Sequence, residues 1–291
     1  MDAKYSFALF ITGNPGTGKS FIANNLGANF KSGFSLDGTG VTKDVLCEDV
    51  WIDGQLVLMV DAPGLFEATL DTTRRNAEEI TKALQIGPTY NIPLRIGVVV
   101  ADHNGRIQHG DLLLIKKIHE ALSPVFEILL IINQVKKRNL KYYATPQCIE
   151  TVVETIKANT GADVRTDRVL VIRDYDNDEK PDIQPLINML ERINAKRAQN
   201  VNDITVTEEE YKASFKEFTI FTLSSAVGAA ATVGAVATVG AVALAVGETA
   251  GMATSAAFVA SGPAALIAGV SYILYKILKE LSGSGEQAFI L

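Results

Sequence analysis

Eight residues near the N-terminus restrict this chain more than any others. Gly13-Asn14-Pro15-Gly16-Thr17-Gly18-Lys19-Ser20 follow directly on a short apolar run, Tyr5 to Thr12. The spacing G-x-x-x-x-G-K-[ST], after a strand and ahead of a helix, is that of a phosphate-binding loop. Gly13, Gly16 and Gly18 permit the turns that bring backbone N–H groups against phosphate oxygens. A helix opening near Gly18 aims its unpaired N–H groups and positive dipole end at the same anion. Lys19 supplies a point charge for the β and γ phosphates, and the Ser20 hydroxyl is placed for magnesium. Asn14, Pro15, Thr17 and Phe21 complete the cradle.

A second half of the same device follows. Val45 to Trp51 and Gln55 to Val60 flank Asp53-Gly54, a strong hairpin signal. The apolar run Leu56 to Val60 delivers Asp61 to a strand end, with Gly64 three residues on. A carboxylate there holds magnesium and the Gly64 N–H senses the γ phosphate. The glycine-containing stretch Asn29 to Asp44 reads as a loop. Within it Thr42 is preferred to Thr39 as the hydroxyl that closes over magnesium and the γ phosphate, with loop solvation as the plainer reading. Lys19, Thr42 and Gly64 are thus the candidate catalytic groups, and Ser20, Thr42 and Asp61 the candidate metal ligands.

The rest of the first two thirds alternates strands with helices. A helix is expected over Arg74 to Ile86, stopped by Gly87-Pro88, then a buried strand over Leu94 to Ala101 and a helix over Asp111 to Leu122. A strand over Phe126 to Ile132, a helix over Cys148 to Asn159, a strand over Arg168 to Arg173 and a helix over Ile183 to Arg197 complete the series. That order specifies an α/β fold, a P-loop NTPase G domain over residues 1–197 with a mostly parallel sheet covered on both faces.

Asn133 follows the strand Phe126 to Ile132, where GTP-binding proteins carry N-K-x-D, and is placed to support the base pocket. The carboxylate position is Lys136 instead, which leaves an ATPase of the same fold as an alternative. Asp174 and Asn177, at the end of the last strand, are candidates for base contact; a solvated acidic loop is the plainer reading. His103 and His109 lack a third ligand at metal-binding spacing and read as solvated side chains. Cys47 and Cys148 are too few for a disulfide framework and read as buried or inert thiols in a reducing compartment. The net charge of -6, without a basic stripe, argues against nucleic acid as the main partner. The N-terminus enters the first strand at once, and the expectation is synthesis in the cytosol.

Taken together, the phosphate loop, the segment ending in Thr42-Lys43, Asp61-Ala62-Pro63-Gly64-Leu65-Phe66, and Asn104-Gly105-Arg106-Ile107 before an acidic helix start resemble the immunity-associated GTPases of the GIMAP, or avirulence-induced-gene, type. The resemblance covers roughly residues 5 to 197. It implies a domain that binds GTP and GDP with Mg2+, self-associates through its nucleotide face as a homodimer or oligomer, and anchors to membranes by its C-terminus. Leu65 stands where Ras-like enzymes place a glutamine that orients the attacking water, so hydrolysis by the monomer is expected to be slow. Arg74, Arg75 and Arg106 are candidates for a charge that completes the site on assembly, although such arginines are more often surface salt-bridging residues.

The last third differs in kind. Residues 198–217 read as a polar linker and helix start. Phe218 to Val246 runs 29 residues and Thr249 to Tyr275 runs 27 without a charge. Each is long enough to span a bilayer core, which needs about 20 helical residues. The expectation is an apolar helical hairpin over residues 218–280 that associates with a membrane and keeps both ends cytosolic, followed by a tail over 281–291. Gly262-Pro263 weakens a straight second helix, and the density of Ala, Gly and Thr weakens insertion. A soluble alanine-rich hairpin is the alternative. A nucleotide-dependent scaffold that barely hydrolyses is the alternative for the whole chain, as is a membrane-perturbing hairpin regulated by the first domain.

Overall fold

The computed structural model describes residues 4–31, 42, 44–103, 105–175 and 181–214. The chain divides into two compact units, Met1–Phe218 and Thr219–Leu291. The expected hairpin over 218–280 and the tail lie outside the described residues, as do Thr39, Lys43, Asn104 and Asn177. Among the described residues no helix is long and apolar enough to cross a membrane.

The first unit is built from β1 (Phe7–Thr12), α1 (Lys19–Asn25), β2 (Leu46–Ile52), β3 (Gln55–Asp61), α2 (Leu70–Tyr90), β4 (Leu94–Ala101) and α3 (His109–Ala121). It continues with β5 (Leu122–Ser123), β6 (Glu127–Val135), α4 (Leu140–Tyr143), α5 (Pro146–Thr160), β7 (Asp163–Arg173), α6 (Gln184–Arg192) and β8 (Asn200–Val201). The main sheet has the order β2-β3-β1-β4-β6-β7. β3, β1, β4, β6 and β7 are mutually parallel, and β2 pairs antiparallel with β3 as an edge. The mostly parallel α/β expectation therefore holds.

Side chains alternate across a strand, so a sheet covered on both faces buries both sets. Phe7, Leu9 and Ile11 of β1 join Val57, Met59, Val99, Leu129 and Ile131 in one cluster with Ile22 of α1, Leu26 that caps that helix, and Leu186 and Leu190 of α6. The opposite set, Ala8 and Phe10 with Val98, Val100, Leu130 and Ile132, is buried as fully. Outside that cluster, α2 buries Ala77, Ile80 and Leu84, α3 buries Leu114, Ile115 and Ile118, and α5 buries Val153 and Ile156. Each large side chain so buried contributes roughly 1.5–3 kcal/mol relative to exposure.

Two local expectations are corrected. α2 starts at Leu70, not Arg74, because Thr69 caps it, its Oγ1 accepting from the Thr72 N–H at 3.2 Å. It also runs through Gly87-Pro88 to Tyr90. Pro88 sits in the last turn and forfeits one N–H there. The missing Cβ of Gly87 lets Leu94 pack directly on the helix, since a Cβ would lie 2.6–2.8 Å from three Leu94 carbons. The second concerns Cys47, which is exposed on the edge strand and not buried.

Residues 198–214 add to the same unit. β8 pairs antiparallel with β5, the Ile204 N–H donates to Thr81 Oγ1 at 2.9 Å, and Ala198, Ile204, Val206 and Tyr211 are buried. Residues 208–214 are helical, and Glu210 reaches Lys117 of α3 at 2.8 Å.

Candidate functional site

The parallel sheet gathers the C-terminal ends of β1, β3, β4, β6 and β7 along one edge, where open α/β sheets bind ligands. β1 leads into the phosphate loop. Gly16 and Gly18 take left-handed backbone conformations, φ 80° and 85°, that other residues adopt at a cost. Gly18 is also the N-cap of α1 and leaves the first-turn amides without a side-chain cap. A Cβ there would overlap the side-chain amide of Asn133. Thr17 is buried and its hydroxyl donates to the Asn14 carbonyl at 2.9 Å, closing the loop on itself. The Phe21 side chain is exposed at the start of α1.

Lys19, the first residue of α1, is buried. Burial holds it below the usual lysine range, and the carboxylates of Asp61 and Glu67 pull it back up. Asp61 ends β3 with no exposed surface. The hydroxyls of Ser20 and Thr42 both donate to its Oδ2, at 3.0 and 3.1 Å. Burial pushes this carboxyl upward, while Lys19 and the two hydroxyls favour its ionised form. Its other oxygen, Oδ1, is buried without a hydrogen-bond partner. A buried unpaired carboxylate oxygen beside two hydroxyls is an oxygen-only donor set, the kind magnesium takes. Ser20, Thr42 and Asp61 thus fit as the residues that would hold it, where it would neutralise charge between phosphate oxygens. The three candidate ligands, drawn from three separate segments, are brought together.

Gly64 lies against the loop so closely that a Cβ would overlap Pro15. Leu65 after it has no exposed surface. Two buried acids here, Asp111 and Glu67, were not singled out from the sequence. Asn14 donates through Nδ2 to Asp111 Oδ1 at 2.8 Å and accepts at Oδ1 from the Phe66 N–H at 3.1 Å, joining the phosphate loop to α3 and to the segment after β3. Asp111 is wholly buried, and desolvation pushes its pKa up to about 7 against the Asn14 and Gln108 bonds. Glu67 is buried with its N–H donating to Thr73 Oγ1 at 3.1 Å. An acid three residues past Gly64, facing a motif lysine, is the signal that would have found it.

The end of β6 is fastened to the same loop. Asn133 donates to the Thr17 carbonyl at 2.9 Å and Gln134 to the Gly16 carbonyl at 2.8 Å. Lys136 pairs with Asp174 of the β7 end at 2.6 Å. Of the remaining candidates, Arg74 donates to the Val206 carbonyl at 3.3 Å, whereas Arg106 is exposed and follows Gly105, φ 81°, ahead of α3. Among the described residues no group of three or more His, Cys, Asp and Glu is arranged to hold a metal.

Residues 8–134 match the protein family described as 50S ribosome-binding GTPase. No curated protein sequence matches the chain. Among solved structures it is similar to the chloroplast translocon components atToc33 and psToc159, whose dimerization is important for GTPase activity, with 15% identity over 68% of this chain and 87% of that one and a TM-score of 0.46. Toc33 from Arabidopsis thaliana in complex with GDP and Mg2+ is 16% identical over 68% and 88% of the two chains, with a TM-score of 0.39. A variant of Aquifex aeolicus Era bound to GDP and AlF4- is 15% identical over 69% and 62%, with a TM-score of 0.43. The phosphate loop, the converging metal ligands and the family match together identify a P-loop GTPase domain, with GTP as its ligand and Mg2+ as its cofactor.

Proposed function

We propose that this domain hydrolyses GTP slowly by itself and acts as a nucleotide-dependent switch on a membrane, with turnover completed when two copies meet through their nucleotide faces. Leu65 carries the reading. Hydrolysis of the β–γ bond needs a side chain that orients water beside the γ phosphate. The residue after Gly64 is instead a fully buried aliphatic, with nothing to offer a water molecule. Lys19 and the loop amides still stabilise charge on the transferred phosphoryl, so chemistry is retained at a reduced rate. A second copy would supply the missing group, and the exposed Arg106 at the rim is the charge best placed to reach across.

The membrane part of the reading rests on the two uncharged runs, Phe218 to Val246 and Thr249 to Tyr275. The helical residues 208–214, which precede them in the chain, pack on the segment that follows Gly64. A nucleotide-dependent change at Gly64 therefore has a short route to the residues leading into the apolar runs.

The test is GTP turnover by the full chain in magnesium, per copy, as protein concentration is raised with and without lipid vesicles. The expected result is a per-copy rate that rises with concentration, together with vesicle association that differs between GDP and a non-hydrolysable GTP analogue. A rate that is flat across the series overturns completion by a second copy. Equal or absent vesicle association in both nucleotide states overturns the membrane switch.

A further inference from the structure

Lys136 stands where a carboxylate would select guanine, yet the site is not left without an acid. The Asp174 N–H donates to the Val135 carbonyl at 2.9 Å, which sets the residue that follows β7 beside the β6 end. Across it, Lys136 Nζ meets Asp174 Oδ2 at 2.6 Å. Both side chains are largely open to solvent, at 61% and 40%. An ion pair that exposed adds little to folding, so stability gives no reason for it.

Its place along the sheet gives one. In the order β2-β3-β1-β4-β6-β7, the candidate metal ligand Asp61 ends β3 on one side of the phosphate loop. A terminal phosphate and metal held at Asp61 would lie toward β3, and the nucleoside would leave the loop on the other side, toward β6 and β7. There Asn133 and Gln134 brace the loop carbonyls, and the pair of Lys136 and Asp174 follows within three residues of Asn133 on β6. Guanine presents two parallel donors on that edge, N1–H and the 2-amino group. Adenine presents an acceptor at N1 and no 2-amino group. A carboxylate has about four lone-pair sites, so one bond from an ammonium leaves it able to accept from both guanine donors.

We propose that Asp174 is the carboxylate that selects guanine in this chain, supplied from β7 instead of β6, and that Lys136 is a positioning residue that holds it. The proposal rests on the GTPase reading of the site. It also gives Lys136 a purpose: the residue that displaced the usual acid orients its substitute.

The chemistry makes a directional test. Xanthine carries a 2-oxo acceptor where guanine carries the 2-amino donor, so an amide at position 174 should favour it. Full-length wild type, Asp174→Asn and Lys136→Met are each loaded with labelled GDP in magnesium and competed with GTP, XTP and ATP. Wild type is expected to prefer GTP over both others. Asp174→Asn is expected to weaken GTP on the order of ten- to a hundredfold and to strengthen XTP, a gain that misfolding does not produce. Lys136→Met is expected to weaken GTP several-fold, with rescue by Lys136→Arg. Unchanged GTP and XTP affinities in Asp174→Asn overturn the assignment while leaving a GTPase in place. A wild type that binds none of the three, or all equally, overturns both.

Discussion

The ring of Phe66 lies on that of Tyr211, with centroids 5.3 Å apart and planes inclined by 27°. Phe66 follows Gly64 by two residues and its N–H is held by Asn14 of the phosphate loop at 3.1 Å. Tyr211 is 3% exposed and belongs to the helical residues 208–214. One contact thus joins the nucleotide end of the sheet to residues far along the chain. Tyr211→Ala is expected to destabilise the first unit by about 3 kcal/mol in urea unfolding. A double-mutant cycle with Phe66→Ala should return a coupling of about 1 kcal/mol. Strict additivity would show that the two rings contribute independently.

Asp61 is the carboxylate expected to tie magnesium to nucleotide affinity. Asp61→Asn keeps an acceptor for Ser20 and Thr42 but removes the charge. Magnesium-dependent GTP affinity is expected to fall roughly ten- to a hundredfold, with magnesium-free GDP binding changed far less. Titration of both nucleotides with and without chelator measures this. Equal losses under both conditions would mean that the carboxylate serves the loop and not the metal.

Leu65 contributes packing without chemistry. Leu65→Ala is expected to cost about 2–5 kcal/mol of stability as a cavity opens. Turnover per folded copy should stay within about threefold, because no proton or water is held by the lost atoms. Single-turnover hydrolysis at a temperature where the variant stays folded decides it; a collapse of the rate would assign the side chain a direct part.

Asp111 sets a pH dependence. Its pKa is raised from the ordinary carboxylate range to about 7 by desolvation, so between about pH 4 and 7 the folded state holds a proton that the unfolded state releases. Stability from this group is full below the unfolded pKa and is lost as pH rises toward 7, by about 4 kcal/mol at most. Asp111→Asn keeps an oxygen for the Asn14 Nδ2 and never ionises. It is expected to unfold later than wild type above pH 7, with the advantage shrinking toward pH 4, in thermal scans across that range. An advantage independent of pH would show that the carboxyl does not titrate with folding.

Much of this arrangement was legible in the sequence wherever a local rule had one solution. Asp53-Gly54 adopts the positive φ values, 46° and 72°, of a two-residue hairpin turn, and Leu94–Ala101 is the strand its β-branched run announces. Gly16 and Gly18 take the left-handed backbone that the loop spacing calls for. What was not legible is what depends on a distant partner. Nothing beside Gly87-Pro88 reveals that Leu94 will fill the space of a missing Cβ. Nothing in Glu208-Glu209-Glu210 reveals that one of them reaches Lys117 and that the next residue, Tyr211, reaches Phe66. Lys136 looked like a lost function because Asp174, 38 residues on, becomes its neighbour only in the folded sheet.

The side-chain amide of Asn14 gives a hydrogen to Asp111 and takes one from the Phe66 backbone. Position 14 is therefore a grammatical one, where a donor and an acceptor must be spoken in the same short breath. Aspartate would keep the acceptor, lose the donor and set a second charge against a buried acid; serine is too short to reach both partners; glutamine has both atoms one methylene too far. Among variants selected for nucleotide binding, positions 14 and 111 should accordingly change as a couple, and any drift at one should be answered at the other before it is tolerated.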